Sequence, residues 1–372
     1  MFNILKKQAA SSLGVDIGTT GIRVVQLGSK DKKVSLENYA SIETKDYLEI
    51  LGSDSKFNNI RMSDKKISDD LAKIISDAGI SSKRVSMAVP ISSAFSSIIS
   101  LPDMPEEEIE NAINFEARQY IPIAIDEVIF DWVVIGRTGG TKNGNKDSIV
   151  EEKNIKKLKI LLVAIPKEIT NKYVSIVDSL GLELVALETE SFSLAMAFSR
   201  GEKGTISIVD IGNKTTSITI VESGEVISGH SISGTGGEEI TRIISHGVDV
   251  DFHRAEQLKK DIGLNKEDNS QKQVSEIVLP IMSIIISEIR KINGNYTKSN
   301  KKSVNKIIVT GRTSYISGLA EYFTTEIGIP TEIGNPWKEI SYDRALDKRL
   351  EESSPYFSVA VGLALRGLEN RK

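Results

Sequence analysis

Two stretches decide the fold of this chain: LGVDIGTTGIRVVQL (Leu13–Leu27) and ISIVDIGNKTTSITIVESG (Ile206–Gly224). Each runs apolar residues into an Asp, continues through a Gly and a group of hydroxyl side chains, and leaves as a second apolar segment. Apolar runs on both sides of a glycine-containing turn predict a β-hairpin. The chain therefore builds one small device twice, about two hundred residues apart.

The residues after each hairpin follow a common plan. VSLENYASIET (34–44) and GEVISGHSIS (224–233) predict a third strand in each half, and ISDDLAKIISDAGI (67–80) and GTGGEEITRIISH (234–246) predict a helix. This recurrence indicates the duplication of one α/β unit. A β-α-β-β segment from about Val85 to Pro166 interrupts the first half and predicts an inserted module with its own sheet.

Composition excludes several classes of protein. A chain of 372 residues fits two or three domains, and its net charge of −4 argues against a nucleic-acid-binding protein. The absence of Cys excludes disulfides, thiolate catalysis and Cys-based zinc sites, and the three His lack the close pairings of a zinc site.

No segment predicts passage across a membrane. The start of the chain lacks the pattern of a signal peptide. The longest apolar run, IVLPIMSIII (277–286), is too short to span a bilayer and predicts a buried helix that opens at Pro280. We therefore expect a soluble protein.

The turns of the two hairpins predict anion binding. Glycines allow tight backbone conformations that expose successive N–H donors, hydroxyl groups add further donors, and such nests bind phosphate. The candidate residues are Gly18, Thr19 and Thr20 in the first turn and Gly212, Asn213, Lys214, Thr215 and Thr216 in the second. Two such turns in corresponding places predict a clamp on both flanks of a polyphosphate.

Asp16 and Asp210 conflict with this interpretation, because a carboxylate repels phosphate. The conflict disappears if Mg²⁺ lies between them, since Mg²⁺ keeps several waters and links carboxylates to substrate phosphates. We therefore predict a water-mediated magnesium site at this pair of carboxylates.

Further residues predict contacts to a nucleoside. Gly236 and Gly237 open a helix whose N–H groups face a ligand. Glu256 and Lys259 lie three apart on one helix face, where they serve either a ribose and a base or a solvated ion pair. Gly311 ends the strand IIVTG and allows a flat base to approach the backbone.

These motifs, in this order, resemble the actin/Hsp70/sugar-kinase superfamily over essentially the whole chain. The inserted stretch LPDMPEEEIENAINFEARQYIP (101–122) is similar to the PilM family of actin-like proteins of type IV pilus assembly, whose near relative is the cell-division protein FtsA. The resemblance implies a duplicated actin-like (ribonuclease-H-like) α/β fold with two lobes around a nucleotide cleft and an inserted β-α-β-β (SHS2-type) subdomain.

The resemblance also implies a domain order. Residues 1–85 and 167–200 form the first lobe (1A), 86–166 the inserted subdomain (1C), 201–245 and 305–335 the second lobe (2A), 246–304 its insertion (2B), and 336–372 a return to the first lobe.

The implied function is a cytoplasmic scaffold that binds ATP or ADP with Mg²⁺. A groove between 1A and 1C would hold the N-terminal tail of a PilN-like membrane protein and so keep the chain at the inner membrane. Other pilus platform and motor proteins are expected partners, and self-association stays open. The alternatives are an FtsA-like division adaptor, a vestigial scaffold like the secretion protein GspL, or a sugar-kinase-type phosphotransferase.

The sequence departs from the family pattern at two positions. Arg23 stands where a phosphate-contacting Lys is usual, and Arg312 replaces the second glycine of the adenosine strand, where it either stacks on the base or narrows the pocket. Glu238 joins the nucleoside set. Glu188 and Glu190 are candidates to position an attacking water, or plain helix-start residues, and we expect slow hydrolysis at most.

Overall fold

A computed structural model describes residues 11–31, 33–43, 60–138, 156–264 and 269–369. Most of the predicted polar loop between the last two strands of the insertion, residues 139–155, lies outside this part of the chain. The chain divides into two compact units, Met1–Ile91 with Lys172–Lys372 and, separately, Ser92–Asn171. The described residues form two five-stranded sheets and one three-stranded sheet.

The first sheet contains the first predicted hairpin at its centre. Strand order is β3-β2-β1-β4-β8, with β1 and β2 antiparallel and β4 and β8 added in parallel. The strands are β1 (Ser11–Gly18), β2 (Gly21–Lys30), β3 (Lys33–Glu43), β4 (Arg84–Val89) and β8 (Glu183–Thr189).

The second sheet repeats this arrangement. Strand order is β11-β10-β9-β12-β13, again with an antiparallel hairpin pair followed by two parallel strands. The strands are β9 (Thr205–Ile211), β10 (Thr215–Glu222), β11 (Glu225–Ser233), β12 (Lys306–Thr310) and β13 (Thr331–Ile333). The matching strand orders confirm the duplicated α/β plan that the repeated hairpins predicted.

Helices cover the two sheets. Those of the larger unit, with α3 reaching into it, are α1 (Ile60–Asp77), α3 (Lys167–Ser179), α4 (Glu190–Phe198), α5 (Gly237–Gly247), α6 (Phe252–Asp261), α7 (Asn269–Asn300), α8 (Leu319–Ile327), α9 (Asp347–Ser353) and α10 (Ser358–Leu368). In the described part of the chain, no helix has the length and hydropathy to cross a bilayer.

Helix α7 corrects one prediction. Pro280 lies inside this 32-residue helix, which begins at Asn269, and does not open a helix as predicted. A proline inside a helix costs about 3 kcal/mol because it removes one backbone hydrogen bond. Val274 and Val278 before the proline, and Met282 and Ile285 after it, are all buried, and this continuous apolar face offsets the cost.

Helix α10 packs unusually close to the first sheet and to helix α4. A Cβ placed on Gly14 of β1 would lie 2.0 Å from the carbonyl oxygen of Ala360, and one on Gly362 would lie 1.8 Å from that of Ser193. These glycines let backbones touch where any side chain would separate them. The contact seats the C-terminal segment, including Tyr356, against the strand that carries Asp16.

The smaller unit is a three-stranded sheet with one helix. Its elements are β5 (Phe95–Pro102), α2 (Glu106–Tyr120), β6 (Val128–Thr138) and β7 (Lys157–Pro166), in the strand order β5-β7-β6. Ile109, Ile113 and Ala117 recur every fourth residue on α2 and pack on the sheet, as amphipathic helical spacing predicts. Ile98 of β5 and Ile129 of β6 are outside this packed core, and 44% and 49% of their surfaces are exposed.

We expect Gly14→Ala to lower the free energy of unfolding by about 3 kcal/mol, because its methyl group would overlap backbone that cannot rotate away. Denaturant unfolding measures this. Gly294→Ala on α7 is the matched control: its added methyl group meets no atom within 4 Å. The control should gain about 0.5–1 kcal/mol from helix propensity. Equal effects of the two substitutions would contradict the close approach of α10.

Candidate functional site

The turns of the two hairpins line one cavity between the two large sheets. Gly18, Thr19 and Thr20 come from the first turn, and Gly212, Asn213, Lys214 and Thr215 come from the second. The cavity has a volume of about 90 Å³. Pockets for small molecules usually measure about 300–1,000 Å³, so a ligand larger than a phosphate group needs a wider cleft than this one.

Asp16 and Arg23 form a buried ion pair at one side of the cavity. Arg23 Nη1 lies 3.0 Å from Asp16 Oδ2, and 8% and 11% of the two side chains are exposed. Arg23 also donates to Thr20 Oγ1 at 3.1 Å, and its guanidinium lies 3.8 Å from the ring centre of Tyr356. A Cβ on Gly18 would lie 2.5 Å from Arg23 Nη1, so this glycine makes room for the guanidinium. The charge of Asp16 is therefore already neutralised by the protein.

Asp210 faces the same cavity without such a partner. Within the described residues, its carboxylate makes no hydrogen bond and no ion pair. Burial, and then repulsion by Asp16, raise the pKa of Asp210 to about 7. Gly311 lies next to this carboxylate and has a φ of +85°. A Cβ at this position would lie 2.1 Å from Asp210 Oδ1. The missing side chain at Gly311 therefore makes room for the Asp210 carboxylate, and the contact of Gly311 with a base stays a prediction.

Glu190 and Glu188 lie in different environments. Glu190, the first residue of α4, lines the cavity and accepts a hydrogen bond from the backbone N–H of Ile91. Burial, and then repulsion by Asp210 and Asp16, raise the pKa of Glu190 well above its ordinary value.

Glu188 does not line the cavity. Its carboxylate accepts from Arg366 Nε at 2.9 Å and from Ser193 Oγ at 3.2 Å. These bonds tie β8 to α10 and α4. Of the two candidate glutamates, the structure brings only Glu190 to the cleft.

The strand that leaves the second turn alternates its side chains. Thr215 and Ser217 line the cavity, whereas Thr216 is fully buried on the other face and donates to the carbonyl oxygen of Thr235 at 3.0 Å. Thr216, a predicted phosphate ligand, is therefore held away from the cavity, and Ser217, which sequence analysis missed, faces it. The sequence could have predicted this difference, because successive residues of a strand face opposite sides of the sheet.

The predicted nucleoside residues form a polar network beside the second turn, outside the enclosed cavity. Lys259 is buried, and its ammonium group donates to Gly237 O at 3.1 Å, Thr241 Oγ1 at 2.8 Å and Glu256 Oε2 at 2.5 Å. Burial lowers the pKa of Lys259. This network holds the start of α5.

Two further contacts connect that start to the second turn. Asn213 Nδ2 donates to Glu238 Oε2 at 2.8 Å, and a Cβ on Gly236 would lie 2.2 Å from the carbonyl oxygen of Asn213. Close approach of the backbones therefore explains Gly236, as it explains Gly14 in the first sheet.

Arg312 spans the two large sheets. Its Nη1 lies 3.0 Å from Glu43 Oε1 at the end of β3, and its guanidinium lies 5.8 Å from the ring centre of Tyr356. In this arrangement the side chain narrows the cleft, which is one of the two roles that the sequence left open. Tyr356 itself had no signal in the sequence, because it reaches the cleft only through the packing of the C-terminal segment.

The oxygen-bearing side chains that line the cavity are compatible with the binding of one divalent cation. In the described ranges no three His, Cys, Asp or Glu side chains are grouped closely enough to hold a metal by themselves. Mg²⁺ accepts one or two carboxylates and completes its shell with water and phosphate oxygens. The half-buried carboxylate of Asp210, which has no ion-pair partner among the described residues, fits that requirement better than Asp16, whose charge Arg23 already balances.

Comparison with known proteins identifies relatives over the whole chain. The model of the family "Type IV pilus assembly protein PilM" matches residues 14–368. The solved structure of a PilM-PilN type IV pilus biogenesis complex is similar with a TM-score of 0.79 at 21% identity, over 98% of this chain and all of that chain.

Other relatives match more weakly. The ethanolamine utilization protein EutJ from Carboxydothermus hydrogenoformans has a TM-score of 0.53 at 17% identity, over 96% of this chain and 90% of that one. The cell division protein FtsA of Bacillus subtilis is 26% identical over 176 residues, which are 44% of this chain and 38% of that protein. The matched region thus spans well under half of the curated relative, and the two solved structures support the actin-like fold.

We predict that stability depends on pH through Asp210. Its folded-state pKa is raised to about 7, so its contribution to stability is fully present below the unfolded pKa near 3.8 and is lost as pH rises towards 7. Asp210→Asn should therefore be more stable than the parent at pH 8, by up to about 4 kcal/mol, and nearly equal to it at pH 4. Thermal unfolding across this range measures the difference.

Asp178→Asn is the control, because Asp178 lies exposed on α3. A gain for Asp210→Asn that is the same at both pH values would contradict the interpretation.

Proposed function

Because this chain belongs to the PilM family of type IV pilus assembly proteins, we propose that it is a cytoplasmic, actin-like scaffold that binds ATP with Mg²⁺. In this proposal it also binds the N-terminal tail of a PilN-like membrane protein, which keeps it at the inner membrane. One observation carries the nucleotide part: two hairpin turns line one cavity, and its wall contains the half-buried carboxylate of Asp210, which has no ion-pair partner among the described residues.

The hairpin turns supply the phosphate-binding groups. Backbone N–H groups and hydroxyls at Thr19, Thr20 and Thr215 point to an anion held between the lobes. The start of α5 at Gly237 adds a helix N-terminus on the same side. Mg²⁺ would be held by Asp210 and would neutralise phosphate charge when bound.

Nucleotide retention fits the site better than rapid turnover. The raised pKa of Glu190 favours its neutral form, which is a poorer acceptor for the proton of an attacking water. Glu188 is occupied by Arg366. We therefore propose slow hydrolysis at most.

Partner binding is proposed at the inserted module. Ile98 and Ile129 lie on the face of its sheet opposite to α2, and nearly half of each side chain is exposed. These two side chains provide apolar area that a bound peptide can cover. A solved relative with this fold forms a PilM-PilN complex, which supports a PilN-like tail as the partner.

We expect Asp210→Ala to weaken binding of ATP at least 100-fold in the presence of Mg²⁺, because the substitution removes the proposed carboxylate contact to the metal. Isothermal titration calorimetry measures the affinity, and circular dichroism checks that the fold persists. Asp178→Ala should bind like the parent. Unchanged affinity of Asp210→Ala would refute the proposed metal contact.

We expect Ile129→Glu to weaken binding of a synthetic PilN-type N-terminal peptide at least tenfold, because a charge replaces apolar contact area. Phe115→Glu is the matched control: Phe115 is a large apolar residue of the same module that is 70% exposed on the opposite side, on α2. Fluorescence anisotropy measures both affinities. An equal loss in the two variants, or in neither, would contradict a site on the outer sheet face.

A further inference from the structure

Ser217 is a buried hydroxyl group that no protein atom satisfies. It is 5% exposed and lines the cavity, and its Oγ has no hydrogen-bond partner within the described residues. Burying an unpaired hydroxyl costs free energy, so such groups in a cavity wall usually serve a ligand. The proposed phosphate and nucleoside contacts do not use this side chain.

The β-ladder places Ser217 directly opposite Asp210. These residues are antiparallel partners across β9 and β10, so their side chains leave the same face of the sheet. Cβ atoms of such partners lie about 4.5–5.5 Å apart. A carboxylate without a counter-ion and a hydroxyl without a partner therefore stand side by side in the cavity wall.

Two neighbours hold this arrangement in place. Gly311 packs against Asp210 Oδ1, where any side chain would displace the carboxylate. Arg23 forms an ion pair with Asp16. On that side of the cavity a cation would therefore meet a carboxylate whose charge is already balanced. The cavity-lining carboxylate that has no ion-pair partner among the described residues therefore lies beside Ser217.

We infer that Asp210 and Ser217 together supply the oxygen ligands of the divalent cation that accompanies the nucleotide. Hydroxyl and carboxylate oxygens are ligands that Mg²⁺ accepts, and water and phosphate oxygens complete the shell. This assigns the cation to the second lobe, rather than to a position midway between Asp16 and Asp210. The inference rests on the proposed binding of Mg–ATP.

Thermal stabilisation of the full chain by ATP, measured while Mg²⁺ is titrated, tests the inference. Ser217→Ala should raise the Mg²⁺ concentration for half-maximal stabilisation about fivefold or more, without lowering the melting temperature of the ligand-free protein. Ser207→Ala is the matched control. Ser207 is also a fully buried serine with an unpartnered hydroxyl, but it lies on the opposite face of β9 and does not line the cavity.

A metal switch separates a contact to the cation from a contact to phosphate. The chain contains no Cys, so Ser217→Cys introduces a single thiol. Because a thiolate prefers soft metals, this variant should be stabilised by ATP with Cd²⁺ at concentrations at least tenfold lower than the parent requires, while its response to Mg²⁺ declines.

Three results would overturn the inference. They are an unchanged Mg²⁺ midpoint in Ser217→Ala, the same rise in Ser207→Ala, and weaker ATP binding that is equal with Mg²⁺ and with EDTA. The last result would assign Ser217 to phosphate. If the unmodified chain shows no stabilisation by ATP at any Mg²⁺ concentration, the proposed nucleotide function fails, which is a separate outcome.

Discussion

The pairing of charged side chains organises the cleft of this protein. Asp16, Asp210 and Glu190 line one cavity, and the buried guanidinium of Arg23 forms an ion pair with Asp16. Charges buried together in a low-dielectric site are tolerated only when they are paired or neutralised. The protein pairs Asp16 with Arg23, burial raises the pKa of Glu190, and Asp210 is left without an ion-pair partner among the described residues.

The position of the Arg23–Asp16 ion pair depends on close backbone packing around helix α10. Gly14 and Gly362 allow α10 to touch the first sheet and α4, and this contact carries the segment containing Tyr356 into the cleft. The ring of Tyr356 lies under the guanidinium of Arg23, so the aromatic face and the carboxylate of Asp16 hold the same cation from two sides. We therefore expect that a side chain at Gly14 or Gly362 would displace α10, and with it Tyr356 from Arg23.

Strand alternation and local packing decided which of the predicted ligands reach the cavity. Thr215 and Thr216 are indistinguishable as donors in the sequence, yet only Thr215 lines the cleft, because neighbours on a strand face opposite sides. The missing side chain at Gly311 makes room for the Asp210 carboxylate, which the sequence does not show. Glu190 lines the cleft, whereas Glu188 does not. Glu188 instead accepts a hydrogen bond from Arg366, which is far along the chain.

Local periodicity and glycine chemistry are sufficient to predict the duplicated hairpins, the three-stranded insertion and the two turns that line one cavity. The order of the long motifs also indicates the right family, since such motifs are specific. The partnership of Arg23 with Asp16, the lack of an ion-pair partner at Asp210 and the place of Ser217 follow from the folded structure alone. These features depend on residues that are distant in the chain, or on the partner residue on a neighbouring strand. No local sequence pattern determines which charged side chains come into contact in the folded protein.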